Sequence, residues 1–221
     1  EDRFKIMQRN PKFDFTVFPT GTFHKNIGDN DFVWNNFSGN HLNKFLSHDL
    51  PWVICSVLWR KSFLKKLNGF NESFIRLQDV ELHSRALMTE NVNYSVFPNF
   101  KVDSFYRIDS DRIKNYFLFC DNDIKGRMTF VSFFEEILTD KNKKYLKGTL
   151  FTCFNSTFNA FGEGYIDVDQ LRVLLSHING SISNKHFNVL DFFILKIYIL
   201  IRKNKLYFRG LDRVVKWYLI K

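Results

Sequence analysis

The sequence predicts an α/β segment over residues 1–111 followed by an all-helical segment over 112–221, and three observations carry that division. Apolar residues alternate with small or polar ones through residues 13–23, and β-branched and aromatic side chains dominate there, the period-two signature of a strand. Beyond about residue 111 the apolar residues instead recur at helical spacing between polar joints. The chain, at 221 residues, is long enough for one sizeable core or two smaller ones.

In chain order, the strand over 13–23 is interrupted near Pro19-Thr20-Gly21. Residues 25–47 are polar and rich in turn formers, with a short helix near 41–46. A short apolar run over 52–58 leads into a helix over 60–67, which Asn68-Gly69 ends in the usual way of a C-terminal glycine. A second amphipathic helix spans 79–89, with Val80, Leu82, Ala86 and Leu87 on its apolar side, and extended segments follow at 92–97 and 100–107. The helical segment reads as six helices, over 111–120, 128–138, 145–158, 167–178, 189–203 and 205–221.

Hydrophobic residues at 45% and charged residues at 25% are those of an ordinary folded, water-soluble domain. The three cysteines, Cys55, Cys120 and Cys153, lie far apart, which points away from a disulfide framework or a zinc site and toward a reducing compartment. The opening Glu1-Asp2-Arg3-Phe4-Lys5 has no apolar stretch behind a charged leader and no initiator Met, so the chain is expected to start inside a longer protein. The formal charge of +9 is concentrated at the far end, where Arg202, Lys203, Lys205, Arg209, Arg213, Lys216 and Lys221 face Asp212 alone. Such a surface attracts phospholipid headgroups, nucleic acid or sugar phosphates.

The most informative stretch is Ser56 to Met88. It contains Arg60-Lys61 at a helix start, the turn Gly69-Phe70-Asn71-Glu72, the pair Gln78-Asp79 and then Leu82-His83-Ser84-Arg85. In this order they resemble a segment of the family 2 glycosyltransferases of GT-A fold, with a basic helix start, a Gly-Gly-Phe turn, an acidic pair opening a helix and a Leu-x-x-Arg continuation. Asn68 stands where the first Gly is usual, and Gln78 where the Glu of the acidic pair is usual. The resemblance covers residues 1 to about 110 and implies a partial GT-A (Rossmann-like) domain lacking its N-terminal half, followed by the helical region.

What the resemblance implies about function is an inverting transfer of a sugar from a nucleotide-sugar donor to a saccharide or lipid-linked acceptor, in bacterial surface polysaccharide synthesis at the cytoplasmic face of the membrane. Such a transfer needs a carboxylate to take the proton from the attacking hydroxyl, and by resemblance Asp79 is that base. A helix start also favours an ionised carboxylate, although an Asp there is equally an ordinary N-cap. By resemblance Trp52, Ser56, Trp59, Arg60, Gln78 and Arg107 face donor and acceptor. The two tryptophans read either as sugar-stacking faces or as core.

Tyr106-Arg107-Ile108-Asp109-Ser110 matches a family segment in which a His nears the metal or the donor phosphates. Asp109 stands in the place of that His, and it reads either as an oxygen ligand for Mg²⁺ or Mn²⁺ or as a helix cap. The divalent metal itself is expected to be held mainly by the nucleotide-binding half and its Asp-x-Asp signature. Asp29-Asn30-Asp31 and Asp121-Asn122-Asp123 fit the letters of that signature, but neither follows an apolar strand. This chain alone is therefore expected to lack donor binding, and the alternative reading is a non-catalytic, membrane-associated or partner-binding remnant of the same fold.

Residues 189–201 are strongly apolar but carry Asp191 and Lys196 and are too short to span a bilayer. In the last helix, Tyr207, Leu211, Val214, Val215 and Tyr218 are expected on one side, and Arg209, Arg213 and Lys216 on the other. That pattern predicts an anionic membrane surface as the partner of 205–221. Nucleic acid is not an expected partner, since no recognition motif accompanies the basic residues.

Overall fold

The computed structural model describes residues 2–108, 113–182, 186–204, 206–208 and 210–221. They divide into two compact units. The first takes in residues 2–45, 49–73 and 78–108; the second takes in 46–48, 74–77 and the described residues from 113 onward.

The first unit begins with helix α1 (Asp2–Arg9) and carries two small mixed sheets. In the first, β1 (Phe15–Val17) lies between β4 (Val57–Trp59), antiparallel to it, and β5 (Tyr94–Val96), parallel to it. In the second, β2 (Thr20–Phe23) lies between β3 (Val33–Trp34), antiparallel, and β6 (Phe105–Arg107), parallel. One extended stretch thus supplies the central strand of both sheets. The break falls at Pro19, which has no N–H to give to a ladder.

The core of this unit is aromatic. The Phe15 ring, fully buried, lies 4.8 Å from both Trp59 and Tyr94. Helix α2 (His41–Leu46) brings His41 and Phe45 onto Trp52, with centroids 4.9 and 5.0 Å away. Gly21 is required by close approach: a Cβ there would come within 2.9 Å of the Phe105 ring and of Val102.

The second unit is helical: α5 (Tyr116–Ile137), α6 (Asp140–Lys143), α7 (Leu146–Gly162), α8 (Val168–Ser181), α9 (Val189–Lys203) and α10 (Leu211–Ile220). Helix α7 is central, with Leu150, Phe151, Phe154 and Phe158 all buried, while α5 contributes Phe130 and Phe134 and α8 contributes Leu171, Leu174 and Ile178. Capping boxes at Asp167/Gln170 and Asn188/Asp191 start α8 and α9.

Two expectations are corrected here. The separate helices over 111–120 and 128–138 are one, α5, running without interruption from Tyr116. The polar stretch at Asp121-Asn122-Asp123 continues the helix because its acids are paired one turn on, Asp121 with Lys125 at 2.6 Å and Asp123 with Arg127 at 2.8 Å. His177 of α8 reaches Asp121 as well, at 2.9 Å. The last helix starts at Leu211 rather than at 205, behind Gly210 at φ 95°, and it buries Leu211, Val215 and Leu219 while Val214 and Trp217 are exposed. Asp29, from the other Asp-x-Asp look-alike, accepts the backbone N–H groups of His24, Lys25 and Asn26, which hold its carboxyl down to about 2.

Candidate functional site

The residues singled out by sequence fall in the first unit, two of them, Gln78 and Asp79, at the start of helix α4 (Gln78–Met88). Its preceding residue, Leu77, has φ 65°, a left-handed conformation that costs a non-glycine residue roughly 1–2 kcal/mol. Helix α4 is fastened through Arg85, four residues on from the fully buried Glu81. Arg85 pairs with both Glu81 oxygens, at 2.6 and 2.9 Å, and its guanidinium also donates to the carbonyls of Leu67 and Gly69.

Those carbonyls belong to the turn that closes α3 (Lys61–Lys66), where Asn68 and Gly69 both have positive φ. Asn is among the few side chains that adopt this conformation readily, so it fills the place where Gly is usual in the resembling family. The Asn68-Gly69 turn and the Leu-x-x-Arg continuation are therefore two halves of one fastening, which anchors α4 through its last turn.

Asp79 is the second residue of α4 and is half-buried. Burial raises its carboxyl above the usual range, and the backbone N–H groups of Val80 and of Asp79 itself offset this only in part. The helix-start N–H groups favour the ionised form, as expected, but desolvation outweighs them. A carboxylate raised in this way binds a proton more readily than an exposed one, which suits a base.

The Asp79 charge contributes to raising the Cys55 thiol, chiefly raised by burial, and that thiol leads to a chain of hydroxyls. Cys55 Sγ lies 4.0 Å from Thr20 Oγ1, which is 2.9 Å from both Ser56 Oγ and Ser104 Oγ. Arg3 of α1 donates to Ser104 Oγ at 2.8 Å and to the Cys55 carbonyl at 3.1 Å, pairs with Asp103, and lies over the Phe18 ring. Its buried Nε has no partner among the described residues. Thr20 opens β2, Ser56 immediately precedes β4 and Ser104 immediately precedes β6, so the cluster sits where the chain passes between the two sheets.

The other predicted residues are placed as follows. Ser56 is fully buried in the hydroxyl chain just described. Trp52 is 1% exposed and enclosed by His41, Phe45 and His83, so it offers packing and no open face to a sugar ring. Trp59 is half-buried, stacked on His83 at 5.7 Å and in contact with Phe15 and Phe63. Arg60 fastens the end of α1: it donates to the carbonyls of Phe13 at 2.7 Å, Asn10 at 3.1 Å and Met7 at 3.2 Å.

Gln78 is half-buried beside Asp79. Arg107 is exposed on β6 with its guanidinium 5.2 Å from the Phe23 ring centre. Asp109, the predicted metal ligand, lies outside the described residues. Among the described residues no group of three or more His, Cys, Asp or Glu side chains is arranged to hold a metal ion.

Sequence reasoning missed Arg3, Thr20, Ser104 and His83 as members of this environment. Single polar residues at such separations carry no spacing signal, and only the strand pairing brings Thr20 and Ser104 together. His83 is buried with no hydrogen-bond partner at either ring nitrogen among the described residues, and desolvation lowers it to about 3, so it packs as a neutral ring. In comparisons with known proteins, no family model, no curated protein and no solved structure matches the chain.

Proposed function

We propose that this chain carries the acceptor-side half of a GT-A-type, inverting glycosyltransferase that moves a sugar from a nucleotide-sugar donor to a saccharide or lipid-linked acceptor in bacterial surface polysaccharide synthesis, acting at the cytoplasmic face of the membrane. The observation that carries the reading is Asp79: a half-buried carboxylate with a raised proton affinity in the first turn of a helix anchored through Arg85. As the acceptor oxygen attacks the anomeric carbon, its proton passes to Asp79, the bond from that carbon to the donor diphosphate breaks, and the configuration inverts. Arg3 and the hydroxyls of Ser104, Thr20 and Ser56 hold the passage between the two sheets in one geometry.

The donor and a divalent Mg²⁺ or Mn²⁺ ion belong to this reading through the resemblance, and no step here is routed through the metal. Asp79→Asn in the full-length protein tests the proposal. It is expected to lower turnover by about 10²-fold or more with little change in donor KM. Transfer near the native rate would remove Asp79 from the base role.

A second reading, a non-catalytic partner-binding protein of the same fold, is favoured by Trp52 and Arg60, whose polar and aromatic surfaces are taken up in packing. It predicts no transfer from any nucleotide sugar by the native full-length protein.

A further inference from the structure

Helix α9 is two-faced in an unusual sense. Its buried line, Asp191, Leu195, Tyr198 and Arg202, repeats at three- and four-residue steps and faces the rest of the second unit. The opposite side should be polar in a helix that only packs on its own domain. Instead it presents Val189, Leu190, Phe193, Ile197 and Leu200, of which Val189 is 88%, Leu200 62% and Phe193 57% exposed. At about 3.6 residues per turn these five lie on one arc centred opposite the buried line. Just beyond the helix, Leu206 and Phe208 are exposed as well. A contiguous apolar strip of this kind marks a surface that is covered in use.

The charges decide what covers it. Lys196 and Lys203 are exposed along one edge of the strip. From Val189 to the last residue the chain contains two acids, Asp191 and Asp212, and both are engaged inward. Asp191 is buried against Lys147 at 2.7 Å, and Asp212 accepts the hydroxyls of Tyr198 and Tyr207, each at 2.9 Å. The exposed charges that this stretch of chain itself sets beside the strip are therefore of one sign. A second copy docked across a two-fold axis would bring these like charges together, which costs energy, whereas an anionic lipid surface meets both the apolar strip and its basic edge. Among the described residues no helix is long and apolar enough to cross a membrane.

We propose that α9, rather than the last helix, is the membrane-contacting element: it lies in the interface of an anionic bilayer with Phe193, Ile197 and Leu200 in the acyl boundary and Lys196 and Lys203 at the headgroups. The proposal rests on the exposed face of α9 and not on the transferase reading, so either can fail alone.

The test is co-sedimentation of the native protein with vesicles of phosphatidylcholine, with and without phosphatidylserine, at low and high salt. Two variants accompany it, Phe193→Ser/Ile197→Ser and Lys196→Gln/Lys203→Gln. All four positions are exposed, and circular dichroism and thermal midpoints check that the fold is kept. Binding is expected only to the phosphatidylserine vesicles, weakened by salt, and lowered roughly tenfold or more by each variant. No binding to phosphatidylserine vesicles, equal binding by the Phe193/Ile197 variant, or a salt-stable dimer in size-exclusion chromatography that this variant dissociates would each overturn it.

Discussion

A carboxylate that burial has pushed upward leaves a signature in stability as well as in chemistry. The folded-state pKa of Asp79 lies above its ordinary value of 3.8, so folding favours the protonated form. The stability this group contributes is present in full below the unfolded pKa and is lost as pH rises through the raised folded pKa. At neutral pH the native chain thus carries a destabilising carboxylate at its best base candidate. Asp79→Asn should melt at a higher temperature than the native chain at neutral pH, and the difference should close below about pH 3.5, where both are neutral. A variant less stable than native at neutral pH would mean that the carboxylate is held there by a favourable partner, and burial would no longer be the dominant influence on it. In the sequence it is the Gln78-Asp79 pair that draws attention to Asp79. Its burial is not legible there, because desolvation depends on tertiary packing around the start of α4.

At the scale of the element, the stretch from Asn68 to Arg85 acts as one mechanical part. Arg85 satisfies two carbonyls at the end of α3 and neutralises a Glu81 that is wholly out of water. Replacing Arg85 with Met leaves that carboxylate buried without its cation, an arrangement that costs about 3–5 kcal/mol. Arg85→Met should therefore lower the urea midpoint severely, while Glu81→Leu added to it should restore much of the loss. Additive losses in the double variant would show that capping the Leu67 and Gly69 carbonyls, rather than the ion pair, is what matters. Element bounds were readable where caps and periodicity agree, as in α9 with its Asn188/Asp191 box. They were misread at α5, where Asp121 and Asp123 look like a joint until Lys125 and Arg127 are counted one turn ahead. The part played by His177 could not be read at all, since it comes from another helix.

For the whole molecule, the sequence boundary near residue 112 describes composition better than it describes packing. The helical unit also claims residues 46–48 and 74–77, which lie upstream of that boundary. Gly148 of α7 shows why: a Cβ there would stand 2.7–2.9 Å from Ser47, including its carbonyl oxygen. Next to it the fully buried Thr149 hydroxyl donates to the Leu46 carbonyl at 2.8 Å. On α5, Gly126 is close against Arg76, and the buried Phe74 meets Phe133 edge to face at 5.5 Å. Pattern reading finds helices from their own periodicity, and it has no access to short pieces that complete a helical core from elsewhere in the chain. The consequence is measurable. A fragment of residues 113–221 leaves the Thr149 hydroxyl without its acceptor, about 1–3 kcal/mol, and loses the packing of Phe74, about 3–5 kcal/mol. Domains of this size are stable by only about 5–15 kcal/mol, so the fragment should unfold at a much lower temperature and with a broader transition than the same helices in the full chain. Thermal melts followed by the helical circular-dichroism signal compare the two. A sharp transition of the fragment at the full-chain temperature would mean that the helices close their core without residues 46–48 and 74–77.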